Sequence, residues 1–233
     1  LINTGDPDIV FTRPGNEATG LGRDYASVDW NEGIMTAALF DFDNDGWLDV
    51  YKGGSDYPEN RGMLFHQTAP GQFAPVPPAL GIDHHRSHGI AVADFDRDGD
   101  LDVVVGHSLS RCAGDGYTPC YPTAQVRMFE NLVGQDGNHV SFTLEGRSAN
   151  RAAIGARVTV SAGGVTQLRD VDGGHGNFGA QHDLTVFFGL GEACEVDVTV
   201  RWPDSTLDTE TFTLKANRRW KIVQGEPPRV VTP

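Results

Sequence analysis

Two short stretches restrict this chain more than any other feature: "DFDNDGWLDV" at residues 41–50 and "DFDRDGDLDV" at 94–103. Carboxylates this close repel one another unless something positive sits between them. In both copies aspartates stand at positions 1, 3, 5 and 9, with a glycine, Gly46 or Gly99, at position 6. If the segment curls, those carboxylates converge, and the glycine permits the sharp turn. A hard cation with oxygen ligands relieves the repulsion, and calcium takes about six to eight such ligands. The first set is Asp41, Asp43, Asp45 and Asp49 with the carbonyl of Trp47. The second is Asp94, Asp96, Asp98 and Asp102 with the carbonyl of Asp100. This predicts two Ca²⁺ sites of structural role, because metal binding adds to folding free energy when an empty loop cannot close. Magnesium suits the set less well, since it prefers a small octahedral site with retained water. An EF-hand is excluded: position 12 is Lys52 or Val105 instead of glutamate, and no helical period flanks either loop.

The surroundings repeat as well. "EGIMTAALF" precedes the first loop and "SHGIAVA" the second, while "LDVYKGG" and "LDVVVGH" follow. Each unit reads as strand, acidic loop, strand, long connection, strand, turn, strand. Such a unit cannot bury its own faces and must stack on neighbours, as a propeller blade does. The opening 22 residues read as the outer half of a preceding blade. A closed propeller needs about four blades or more. The chain therefore reads as part of a larger propeller, or as one whose open end is covered. With these motifs the region resembles the FG-GAP/VCBS repeats of integrin-type propellers, and the resemblance implies calcium-bound blades.

From about residue 138 the pattern changes to short alternating runs such as "ARVTVSA", "VDVTVRW" and "RWKIVQ", the spacing of a β-sandwich. Asn150-Arg151, "IGARV", the glycine stretch from Gly174 to Gln181, "FGLG" and "WP" resemble the ASPIC/UnbV domain. That domain follows such repeats in secreted bacterial proteins and in the cartilage acidic protein family. Phe178 and Ala180 stand where the family has Tyr and Ser, which removes two hydroxyls. The expected class is all-β: partial propeller blades with Ca²⁺ loops over 1–137, a β-sandwich over 138–226, and a tail over 227–233.

A net charge of −14 argues against nucleic acid and against an anionic membrane surface. No apolar run reaches the roughly 20 residues of a membrane span. Cys112 and Cys120 flank a Gly- and Pro-rich loop and suit a local disulfide, hence an oxidising compartment. Cys194, before the strand "VDVTVRW", reads as a buried apolar residue. No N-glycosylation sequon is present, and the chain opens at "LINTG" without an initiator Met, as a processed or partial chain would.

Other chemistry-bearing residues read mostly as structural. "GHSLS" imitates a nucleophile elbow, but Ser110 replaces the required glycine, so Ser108 is not a nucleophile candidate. His84, His85 and His88 form a loop that could hold a ligand or transition metal, although their spacing matches no zinc motif. His175 and His182, with Asp170, Asp172 and Asp183, could do acid–base work, yet the glycines between them suggest a close backbone approach. Trp202 and Trp220 lie in strand patterns and read as core or semi-core, whereas Trp47 reads as exposed. The expected function is a secreted, extracellular, periplasmic or cell-surface binding, adhesion or structural module, stabilised by calcium and non-catalytic. Its expected partner is a protein, a glycan or another copy of itself. The alternative is the C-terminal part of a polysaccharide-active or other secreted enzyme whose catalytic residues lie in further blades.

Overall fold

The computed structural model describes residues 2–3, 10–22, 34–55, 60–109, 120–174 and 180–231. It begins with a strand pair, β1 (Ile2–Asn3) and β2 (Phe11–Thr12), and one turn of helix, α1 (Asn16–Thr19). Two antiparallel sheets follow. The first runs β3 (Ala37–Phe40), β4 (Asp49–Lys52), β5 (Met63–Ala69) and β6 (Gln72–Pro75), each strand paired with the next. The second holds β7 (Ser87–Ala93), β8 (Asp102–His107) and β9 (Val126–Phe129). Each sheet opens with a hairpin closed by an acidic loop. Phe40 pairs with Asp49 in the first and Ala93 with Asp102 in the second, so the ninth loop residue is the first of its strand.

Alternation decides which side chains point inward. Along β3, Ala38 and Phe40 are buried while Ala37 and Leu39 are exposed. With Tyr51, Leu64, Ile90, Val92, Val103 and Val105 they form one apolar core shared by the two sheets. Strands β3 and β7 lie against each other, which sets the two acidic loops side by side.

A 3-10 turn, Gly134–Asp136, leads into the second half. There β10 (Asn138–Glu145), β11 (Arg157–Ala162), β12 (Val165–Asp170), β13 (Val186–Gly191), β14 (Glu195–Arg201), β15 (Thr209–Lys215), β16 (Arg218–Val223) and β17 (Arg229–Val230) make two four-stranded sheets. One has the order β13-β10-β16-β17 and the other β12-β11-β14-β15. Every pairing is antiparallel except β10 with β16. The sheets enclose Val140, Phe142, Val158, Val160, Phe188, Val198 and Trp202, none more than 1% exposed. Each such burial contributes about 1.5–3 kcal/mol. This is the sandwich expected from the alternating runs.

Three details differ from the sequence reading or add to it. Arg229 and Val230, in the stretch read as a tail, pair with Lys221 and Trp220. Trp220 is half-buried and packs against the edge of the sandwich core. Cys194 is exposed, because it occupies the turn before β14 and not an inward strand position. Its thiol donates to the Glu192 carbonyl at 3.7 Å.

Candidate metal centre

The two acidic loops share one backbone course. Positions 4 and 6 are left-handed in both: Asn44 (φ 58°) and Gly46 (φ 94°), Arg97 (φ 68°) and Gly99 (φ 103°). Asn tolerates this region better than most residues and Gly is indifferent to it. The carboxylates at positions 3 and 5 each accept a backbone N–H two residues on. Asp43 takes that of Asp45, Asp45 that of Trp47, Asp96 that of Asp98, and Asp98 that of Asp100. The ninth carboxylate also does the same work twice. Asp49 accepts from Phe42 N at 3.0 Å and Gln67 N at 2.7 Å; Asp102 accepts from Phe95 N at 3.0 Å and Asn131 N at 2.8 Å.

These turns bring ligand oxygens together. Asp41, Asp43 and Asp49 present oxygens within 4.8 Å of one another, and so do Asp94, Asp96 and Asp98. Asp45 instead groups with Asp43 and His66, whose Nε2 lies 3.2 Å from Asp43 and 3.4 Å from Asp45. His66 has no signal in the loop motif, because it arrives from β5. Its counterpart can be found by aligning the two units on their loop partners: Gln67 matches Asn131, so His66 matches Glu130. The carboxylates of Asp100 and of Asp102, which was expected as a ligand, are in no three-ligand group among the described residues.

The electrostatics are those of acids held out of water. Burial, ahead of repulsion from neighbouring aspartates, raises Asp41 to about 8 and Asp49 to about 7. Asp100 rises to about 8 for the same reasons, and burial also moves Asp43, Asp94 and Asp98 upward. The Asp41, Asp43 and Asp49 set, all oxygen donors with little solvent to support their charge, fits a hard divalent cation held as a charge-neutralising staple. The Asp94, Asp96 and Asp98 set is also all oxygen but more open, with Asp96 and Asp98 exposed.

The sign of the pH dependence follows. A raised folded-state pKa means the folded chain binds the proton more tightly. Without cation, this contribution is complete below about pH 4 and is lost as the pH rises to about 8. A bound cation requires the deprotonated form and removes that loss. In chelator, the urea midpoint should fall between about pH 5 and pH 8; in excess calcium it should not. Parallel profiles in the two buffers would contradict this assignment.

The loops are clamped between the two halves of the chain. Asn44 is fully buried, and its Nδ2 donates to the carbonyls of Gly99 (2.9 Å) and Gly134 (2.7 Å), tying the first loop to the second. Its own carbonyl accepts from Gly191 N of β13 at 2.9 Å. Beside it, a Cβ at Gly189 would lie 2.2 Å from Asp41 Oδ2 and 2.5 Å from the Asn44 Cα. A Cβ on Gly99 would lie 2.0 Å from the His139 ring of β10. Sandwich strands thus pack directly on both loops.

The remaining residues singled out from sequence fall elsewhere. His84, His85 and His88 lie at the opposite end of β7 from the acidic loop and are in no three-ligand group among the described residues. His84 is fully buried, with Nδ1 3.0 Å from Ser87 Oγ, and burial lowers it to about 4, so it is neutral. It packs against His107 and Tyr121 instead. His182 accepts the Val92 N–H on Nδ1 at 3.2 Å, a bond that helps join sandwich to blade. Ser108 follows β8, and its N–H donates to the Arg86 carbonyl. Trp202 is fully buried and Trp47 is 39% exposed. His175, Phe178 and Cys112, and with it the Cys112–Cys120 pairing, lie outside the described residues.

Comparison with known proteins finds two family matches. Residues 41–105 match the FG-GAP-like repeat, and residues 146–229 match the family described as ASPIC and UnbV. Cartilage acidic protein 1 of Homo sapiens is 37% identical over 220 residues, which are 88% of this chain and 30% of that protein. The protein of the same name from Xenopus tropicalis is 26% identical over 217 residues, 90% of this chain and 32% of that protein. The chain thus spans about a third of the length of these curated relatives. No helix among the described residues is long and apolar enough to cross a membrane. In fold, motif and similarity alike, the chain carries an FG-GAP-like repeat followed by an ASPIC and UnbV domain.

Proposed function

We propose that this chain is a non-catalytic, calcium-stabilised extracellular module that presents blade loops and a sandwich face to a protein, a glycan or another copy of itself. The observation that carries the reading is the duplicated loop: two sets of three carboxylates within 4.8 Å, built on one backbone course and packed under the sandwich. Such a site is suited to holding parts together, since its buried acids accept bonds from their own backbone and from neighbouring strands. Calcium modules of weak to moderate affinity suit the extracellular space, where about 10⁻³ M calcium keeps them filled. A Cys112–Cys120 disulfide belongs to the same oxidising setting.

A glycan and matrix-protein array, read in calcium and in EGTA, tests the binding role, with size-exclusion chromatography for self-association. The expected result is retention or oligomerisation that calcium supports and EGTA removes. Turnover of an arrayed glycan, or no retention and a monomer in both buffers, would count against it.

A further inference from the structure

The two loops differ at positions 4 and 7; position 4 is buried Asn44 in the first and exposed Arg97 in the second. Position 7 is Trp47 in the first loop, 39% exposed, and Asp100 in the second, 0% exposed. Asp100 is also unlike the other buried loop acids. Asp41, Asp49 and Asp102 each accept two backbone N–H groups. Both carboxylate oxygens of Asp100 are buried with no hydrogen-bond partner. The 3-10 turn Gly134–Asp136 closes over it so tightly that a Cβ on Gly134 would lie 2.5 Å from the Asp100 Cβ. Asn44, through its bond to the Gly134 carbonyl, holds that cover in place.

An unpaired carboxylate out of water is strongly unfavourable. The charges that act on Asp100 are Asp98, Asp102, Asp96 and Asp94, all of its own loop. A cation among them would compensate both oxygens at once.

We propose that the Asp100 carboxylate itself, and not only its backbone carbonyl, belongs to the cation site of the second loop, making that loop the tighter of the two. The assignment rests on the calcium reading above. Asp94, Asp96 and Asp98 form the inner group; Asp100 stands outside it and would reach the ion through one water, a route calcium loops use for a later carboxylate. The first loop, with Trp47 at this position, has no such group.

Calcium titration of the EDTA-stripped full chain by isothermal calorimetry tests it, on the wild type and on Asp100→Asn, with Asp100→Ser as a second variant. The wild type should bind in two unequal steps. Both variants should weaken the tighter step about tenfold or more and leave the weaker step unchanged, while urea denaturation in EGTA shows no loss of stability. Two steps unaltered in both variants would overturn the role of Asp100 and leave the calcium reading standing. Stabilised variants with unaltered calcium uptake would mark Asp100 as a buried neutral acid. No uptake by the wild type would overturn both readings.

Discussion

Withdrawing calcium with EGTA is expected to lower the melting temperature by about 10 °C or more. A ligand that binds only the folded chain, at about a hundred times its Kd, stabilises by about 2.7 kcal/mol per site, so two filled loops contribute about 5 kcal/mol. For a domain of about this size, each kcal/mol moves the midpoint by about 2–4 °C. The loss should be that large because the buried acids of the loops have no solvent to support their charge. Asp41 and Asp49 are held at 1% and 0% exposure and each already has its backbone donors, so local rearrangement offers little further relief. Differential scanning calorimetry in calcium and in EGTA measures it. A midpoint that moves by no more than the noise would mean the acids are protonated or solvated.

The second large effect is expected at Gly189, far from either motif in sequence. Gly189→Ala places a methyl group 2.2 Å from Asp41 Oδ2 and 2.5–2.6 Å from the Asn44 backbone. Those neighbours are a buried ligand and a left-handed main chain, neither of which yields as a flexible surface side chain would. The expected cost is about 3 kcal/mol, at the upper end for overpacking a closed interface. Gly191→Ala, two residues along, supplies the control. Its φ is 56° but nothing lies within 4 Å of its Cβ position, so only backbone strain of about 1 kcal/mol is expected. Gly189→Ala should also admit protease between the blades and the sandwich. Equal destabilisation by the two substitutions would contradict the close packing of β13 on the first loop.

These two expectations show what could be read from the sequence. The ligand spacing, the hairpins ending at Asp49 and Asp102, and the alternating sandwich strands are local patterns, written within about ten residues of one another. The docking is not local. Asn44 reads as a spacer at position 4, yet in the structure it bonds Gly99, Gly134 and Gly191. His66 carries no loop signal, because only the pairing of β4 with β5 brings it to Asp43 and Asp45. Cys194 differs for a smaller reason. Its residue type suggests burial, while its place in the turn before β14 decides exposure. The burial of Asp100 follows from a 3-10 turn more than thirty residues later, which no spacing rule within the loop could supply.

The most direct test of the account is the metal content of the native protein. Elemental analysis after dialysis into buffer with about 10⁻³ M calcium and no other divalent cation, corrected for the dialysate, should find about two calcium ions per chain. Asp43→Ala and Asp96→Ala should each lose one, identifying the loops as the sites. A native protein without calcium, or one whose calcium is unchanged by both substitutions, would contradict the central claim.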